Sequence, residues 1–419
     1  MSGESRGFVP RRTPIDVTMD APVFGMGISI RTPGYDTYHL RIPPLSTTPA
    51  PSDLASRRRR EMLRAWPLLL SYGSLLVVLT MGAGWFSDPI APGAVWPLFG
   101  WLFVVILIAA FAVVHHAECL AVKLGEPYGT LILTLAVIGL EVLMIATIMV
   151  TKDENPEMAR DTMMGVLMIV LNGLLGMAVI VGAFRHRLQN FNLKSSETYI
   201  AGIIVLSGLG MVLSGYVPEG KLILFEGFLV AVFIAVYAVF LRIQTVEHRC
   251  FFEYERADGT CEDHGHADSP FGVTYHVVLL LLTLLPLVLL AKSLSVVLDV
   301  GLPALGLPEA AVGLVIAILI LAPEGLAAIV AARNNNLQRA VNICLGSALA
   351  TIGLTIPVVL LISFAVGQKI TLGLDAPELV LLVITLLLMV VNLSRGESNV
   401  MKGVLHLAIF SGYVIFVFI

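Results

Sequence analysis

The chain has 419 residues, 57% of them hydrophobic and only 13% charged, with a mean hydropathy of +0.89. About a quarter of a soluble domain is charged, so the composition excludes a water-soluble globular protein and implies a polytopic membrane protein. The net charge of −4 says little in such a protein, where the placement of charges matters more.

Residues 1–60 are rich in Pro, Ser, Thr and Arg and lack sustained periodicity, so they are expected to form a disordered cytoplasmic tail. They do not show the charged-then-apolar order and small-residue cleavage site of a signal peptide. The tail ends in Arg57–Arg60 followed by Arg64, directly before the first apolar stretch. This run is expected to anchor the inner side of a bilayer rather than to bind a particular lipid or nucleic acid.

An all-α fold of eleven membrane spans follows from the requirement for about 20 apolar residues per crossing. They fall near 65–83, 95–117, 128–150, 161–184, 199–217, 221–242, 274–292, 308–332, 340–366, 377–394 and 400–419. With the amino terminus inside, the inner side carries Lys123, Arg185, Arg187, Lys194, Arg242, Arg249, Arg256, Arg333, Arg339, Arg395 and Lys402. The outer side carries only Lys152, Arg160, Lys221, Lys292 and Lys369. That asymmetry predicts a cytoplasmic amino terminus and an external carboxyl terminus. The chain then divides into a first helix (61–93), a five-helix half (94–243), an acidic cytoplasmic linker (244–273) and a second five-helix half (274–419). An odd number of spans per half forces the halves into opposite orientations, the inverted-repeat arrangement of secondary transporters.

Two acids fall inside apolar spans at matching places. Glu141 lies 14 residues after Pro127, and Glu324 lies 16 residues after Pro308. At 1.5 Å per residue each is about 21–24 Å into its helix, near mid-depth. A charge there costs roughly 3 kcal/mol on insertion scales, so it marks an ion or proton pathway. Pro323 before Glu324 removes a backbone donor, and Gly325 after it permits a bend or close approach, so a broken helix is expected there. The simpler alternative is a proline-kinked helix with a packed, protonated acid.

The following span of each half adds small and polar residues, Asn172 in the first, Ser347 and Thr351 in the second. Their oxygens are candidates to complete a cation shell around Glu141 and Glu324; interhelical hydrogen bonding is the competing role. Glu118 and Glu126, near His115 and His116, are candidates to line the cytoplasmic entrance or take up protons, with ordinary interfacial charge as the alternative. Glu226, Glu309 and Glu378 fall in first turns, where an acid complements the helix dipole. His406 is expected to be packed or to sit beside the pathway. The linker holds His248, Cys250, Cys261, His264 and His266 without a Cys-x-x-Cys spacing, so a solvated acidic linker is favoured over a regulatory metal site. Cys119 and Cys344 fall in apolar stretches, and the four cysteines form no disulfide framework.

These residues resemble the calcium/cation exchanger superfamily, specifically its bacterial branch of calcium/proton antiporters. The resemblance rests on His116-Ala-Glu118 through Gly125-Glu126-Pro-Tyr-Gly to Glu141, on Pro323-Glu324-Gly325, on Asn335-Asn336-Leu-Gln-Arg339, and on Gly346-Ser347 through Pro357. It covers about residues 62–419 and implies eleven helices, an inverted repeat, and cation/proton exchange with Glu141 and Glu324 as central ligands. The wider superfamily has a Gly-Asn pair before each glutamate, where this chain has Val137-Ile138 and Ile320-Leu321, and a Gln where it has Ala350. Calcium is the expected cation. Sodium or potassium is the alternative, because fewer neutral oxygens remain to fix a calcium shell.

The expected partners are inorganic cations, protons and the lipid bilayer, with no cofactor and no nucleic acid. Two buried carboxylates suit a hard cation, and without it they hold protons, so cation and protons compete for one site. A channel gains nothing from two acids in one chain's inverted halves. For an enzyme the chain offers no His-Glu-x-x-His, no Gly-x-Ser-x-Gly and no phosphate loop.

Overall fold

The computed structural model describes residues 16–20, 27–31, 38–41, 56, 58–59, 61, 65–85, 92–125, 128–151, 156–247, 269–308 and 310–418. The chain divides into two units, residues 1–59 and 60–419.

In the first unit, three strands stand where no regular structure was expected. They are β1 (Asp16–Asp20), β2 (Gly27–Arg31) and β3 (Tyr38–Arg41), in an antiparallel meander with Asp16 opposite Arg31 and Gly27 opposite Arg41. The reason is local. Val17/Met19, Ile28/Ile30 and Tyr38/Leu40 alternate with polar residues, a period-two signal that the segment's average composition hides.

The second unit is a bundle of apolar helices. Helix α1 (Trp66–Trp85) precedes two sets of five. The first set comprises α2 (Pro92–Leu124), α3 (Tyr128–Thr151), α4 (Met158–Met168) running on into α5 (Leu175–His186), α6 (Leu193–Ser207) and α7 (Leu222–Arg242). The second comprises α8 (Val273–Ala304), α9 (Ala310–Arg333), α10 (Leu337–Ala350) running on into α11 (Ile356–Val366), α12 (Ala376–Leu393) and α13 (Val400–Val417). Among the described residues nine helical segments are long and apolar enough to cross a membrane. Trp66–Gly82, a shorter apolar helix, and α3 occupy the places of the other two expected spans. Leu69, Phe184, Ile223 and Leu224, each at least 77% exposed, belong to an outer surface suited to lipid.

Contacts between the halves come in exchanged pairs. Helices α2 and α8, the first of each half, pack along each other; α9 packs on α4 and α5, and its counterpart α3 packs on α10 and α11. Likewise α7 lies against α11 as α13 lies against α5. A pseudo-two-fold relation produces this pattern, and with five spans per half it makes the repeat inverted.

One expectation about local backbone is corrected. Helix α9 is continuous through Pro323 rather than broken, because a proline removes one donor from a ladder that its neighbours otherwise complete. The irregular backbone sits in the third span of each half. Ile169–Leu174 joins α4 to α5 as a π-helical turn, and Thr351–Thr355 joins α10 to α11 in the same way. These turns open 28 residues after Glu141 and 27 after Glu324.

Each end of the bundle is tied by polar contacts. At one end Arg160, 3% exposed, reaches Asp161 (2.8 Å), Glu157 (3.3 Å), Asp375 (3.2 Å), Glu378 (3.6 Å) and the Gly373 carbonyl (3.0 Å), joining the starts of α4 and α12. At the other end β4 (Gln189–Asn190) pairs with β5 (Glu397–Ser398), and Gln189 donates to the Ala332 carbonyl at 2.8 Å.

Candidate functional site

Glu141 is the fourteenth of the 24 residues of α3, and Glu324 the fifteenth of the 24 of α9. Both stand near the middle of their helices, on the second helix of each half. Glu141 is 3% exposed and Glu324 is half-buried. The two carboxylates are close enough for their charges to interact.

A single helical stretch of the second half serves both. Ser347 on α10 donates to Glu324 Oε2 at 2.7 Å, and Thr351, one turn on, donates to Glu141 Oε2 at 2.9 Å. Helix α10 can do this because it lies beside α9, its chain neighbour, while its continuation crosses α3 of the other half. Thr355 faces the same Glu141 carboxylate, yet among the described residues neither its Oγ1 nor Glu141 Oε1, both fully buried, has a hydrogen-bond partner. The close approach of the halves depends on Gly325. A Cβ there would stand 2.6 Å from Leu174 Cδ2, in the π turn of the first half. Two carboxylates and three hydroxyls thus converge where α3, α9 and α10 meet, an all-oxygen set of the kind hard cations take.

Of the residues singled out in the sequence, Glu141, Glu324, Ser347 and Thr351 are brought together. Asn172 is not joined to them by a hydrogen bond. It is fully buried in its π turn, donates to Thr385 Oγ1 at 2.9 Å, and meets His406 Nδ1 at 3.1 Å through its Oδ1. That is the interhelical role, tying the π turn to α12 and α13. His406, 2% exposed, is packed in this network. Glu118 is half-buried on α2, on the stretch where His116 Nδ1 stands 3.1 Å from His276 Nδ1 of α8, and it is not among the groups acting on either carboxylate. Glu126 and the linker residues His248, Cys250, Cys261, His264 and His266 lie outside the described residues.

Thr355 escaped the sequence reading, although a signal for it exists. It stands 31 residues after Glu324, as Asn172 stands 31 after Glu141. The same register sets Met164 and Met168 against Ser347 and Thr351.

Known proteins share this architecture. The chain is 39% identical over 316 residues to the sodium-potassium/proton antiporter ChaA of Escherichia coli (strain K12), covering 75% of this chain and 86% of that protein. It is 27% identical over 322 residues to the Ca(2+)/H(+) antiporter ChaA of Bacillus subtilis (strain 168), covering 75% and 90%. Among solved structures, that of native YfkE superposes with a TM-score of 0.64 at 20% identity, over 84% of this chain and 99% of the other. Two blocks, residues 94–246 and 275–419, match the sodium/calcium exchanger protein family; each spans one five-helix half and carries one of the two glutamates, and the chain belongs to that family of membrane exchangers.

Proposed function

We propose that this protein is a secondary active antiporter that exchanges a hard cation for protons by alternating access. Glu141 and Glu324 hold cation or protons in turn. The observation that carries the proposal is the pair of bonds Ser347–Glu324 and Thr351–Glu141, by which one helix serves carboxylates from both inverted halves. A cation at this place meets carboxylate and hydroxyl oxygens. When it leaves, two carboxylates held close in a low dielectric repel each other, and protons restore neutrality. A divalent cation exchanged for two protons leaves the charge of the site unchanged. Serving both faces of the membrane in turn requires the halves to rock against each other around this centre.

Calcium is the first choice of cation, since two carboxylates with neutral oxygens match its preference for many oxygen ligands. Sodium or potassium is the second, favoured by the name of the 39%-identical relative. The basic end of the bundle, with Arg185, Arg187, Arg333, Arg339 and Arg395, faces the cytoplasm in this proposal, along with the tail of residues 1–60 and the linker of residues 244–273. The membrane is then the cell membrane, with the carboxyl terminus outside.

The test is proton-gradient-driven uptake into inverted vesicles, with calcium, sodium and potassium in turn. Glu141→Gln and Glu324→Gln are each expected to abolish exchange while the protein still inserts. Exchange near the wild-type rate in either variant overturns the assignment, and cation flux without obligatory proton movement identifies a channel instead.

A further inference from the structure

Several hydroxyls buried within the helices of this protein follow one rule. Ser207 donates to the Ile203 carbonyl at 2.6 Å, Ser214 to Gly210 at 2.8 Å, Thr283 to Leu279 at 2.7 Å and Thr385 to Leu381 at 2.8 Å. Each closes back on the carbonyl four residues earlier, the usual fate of a hydroxyl with nothing better to bind. Thr355 does not. It is 0% exposed, and among the described residues its Oγ1 has no hydrogen-bond partner. A buried hydroxyl left unmet is costly, so its conformation requires a reason.

The π turn provides a geometric one. Four residues of α-helix overshoot a full turn by about 40°, so Ser347, Thr351 and a third residue four further on would drift steadily round the helix. Thr351–Thr355 is instead wound as a π turn, whose i→i+5 closure winds more slowly. It carries position 355 back toward the line of the two earlier hydroxyls. The Thr355 side chain thereby faces Glu141. Opposite it, Glu141 Oε1 is also buried and unmet, the other carboxylate oxygen being taken by Thr351.

We infer that Thr355 is a cation ligand, and that its Oγ1 and Glu141 Oε1 frame the seat of the transported ion. This rests on the antiporter proposed above and places the ion off-centre, toward Glu141 and the second half's third span. The chemical class is an alkali or alkaline-earth cation, because a neutral hydroxyl oxygen, whose proton can turn away, facing a carboxylate oxygen gives the oxygen ligands that a hard positive ion takes. The matching positions of the first half are used differently. Asn172, which matches Thr355, is committed to Thr385 and His406, and the residues matching Ser347 and Thr351 are Met164 and Met168, which carry no side-chain oxygen. Among the described residues, the neutral side-chain oxygens found at the pair of glutamates, those of Ser347, Thr351 and Thr355, come from one helical stretch, and the inverted halves contribute unequally.

The experiment compares full-length Thr355→Val, Thr355→Ser and Thr355→Ala with the wild type in inverted vesicles. It measures KM and maximal rate for calcium, sodium and potassium at a fixed proton gradient. Valine keeps the shape and removes the oxygen. It is expected to raise KM for the transported cation about tenfold, which corresponds to about 1.4 kcal/mol, with the maximal rate changed less than twofold. Serine restores the wild-type KM, which a purely structural role for the threonine methyl does not predict, and alanine reproduces the defect if valine fails to insert. A KM within twofold of the wild type for all three cations in both the valine and alanine variants overturns the inference. If that happens while Glu141→Gln is inactive, only Thr355 is misassigned; an active Glu141→Gln removes the underlying site as well.

Discussion

Ser347 and Asn172 are both polar residues of the third span in their halves, and both invite the label of cation ligand. Their contacts separate them. Ser347 donates to a site carboxylate, whereas the Asn172 amide is committed on both sides to Thr385 and His406. Ser347→Ala is therefore expected to raise the KM for cation roughly tenfold with little change in thermal stability. Asn172→Ala is expected to do the reverse. It takes from the buried His406 Nδ1 its Asn172 partner and from Thr385 one of its bonds, and costs about 1–3 kcal/mol of stability, while KM stays near the wild type. Melting curves in detergent beside vesicle kinetics read both numbers. A Ser347→Ala protein that melts early but transports with unchanged KM would reverse the two roles.

At the scale of elements, the acids stand on regular helices and the irregular backbone lies in the spans that serve them. Pro323 leaves α9 whole, while π turns interrupt the third span of each half at Ile169–Leu174 and Thr351–Thr355. A π turn is one residue wider than the helix around it and so re-aims the side chains it carries, which is how one stretch presents three hydroxyls to two carboxylates. Helix α9 approaches the first of these turns at Gly325, where even a methyl group would collide with Leu174. Gly325→Val is accordingly expected to push α9 from the turn, lowering both the melting temperature and the exchange rate at saturating cation. An unchanged rate and melting point would show that Leu174 yields without cost. This requirement for glycine was only half legible in the sequence. The Pro-Glu-Gly string announces a special backbone position, but the neighbour that demands the small residue is about 150 positions away in the chain, and no local pattern records it.

The whole molecule is asymmetric in charge from end to end. One end gathers Glu157, Asp161, Asp375 and Glu378 around Arg160. The other carries the arginines that close α5, α7 and α9, Arg185, Arg242 and Arg333. If the basic end faces the cytoplasm, Ser394→Cys reacts with a membrane-impermeant maleimide in inverted vesicles but not in intact cells. Glu219→Cys, at the acidic end, does the opposite, both in a background lacking Cys250 and Cys261. The reverse labelling pattern would invert the orientation proposed here without disturbing the fold.

The sequence alone determined the class, the spans, the pairing of the two glutamates and the inverted halves, because these are one-dimensional quantities. Twenty apolar residues are needed per crossing, an odd number of crossings reverses direction, and a costly charge at mid-depth stands out against an apolar background. Only the tertiary structure decided how each polar neighbour is used. Asn172 and Thr355 sit at the same distance from their glutamates, so nothing local distinguishes them. What separates them is the company brought by other helices: Thr385 and His406 satisfy the asparagine, whereas the threonine faces the Glu141 carboxylate. A hydrogen bond is spent on whichever partner packing delivers within about 3 Å, and in this bundle packing delivers residues more than two hundred positions away.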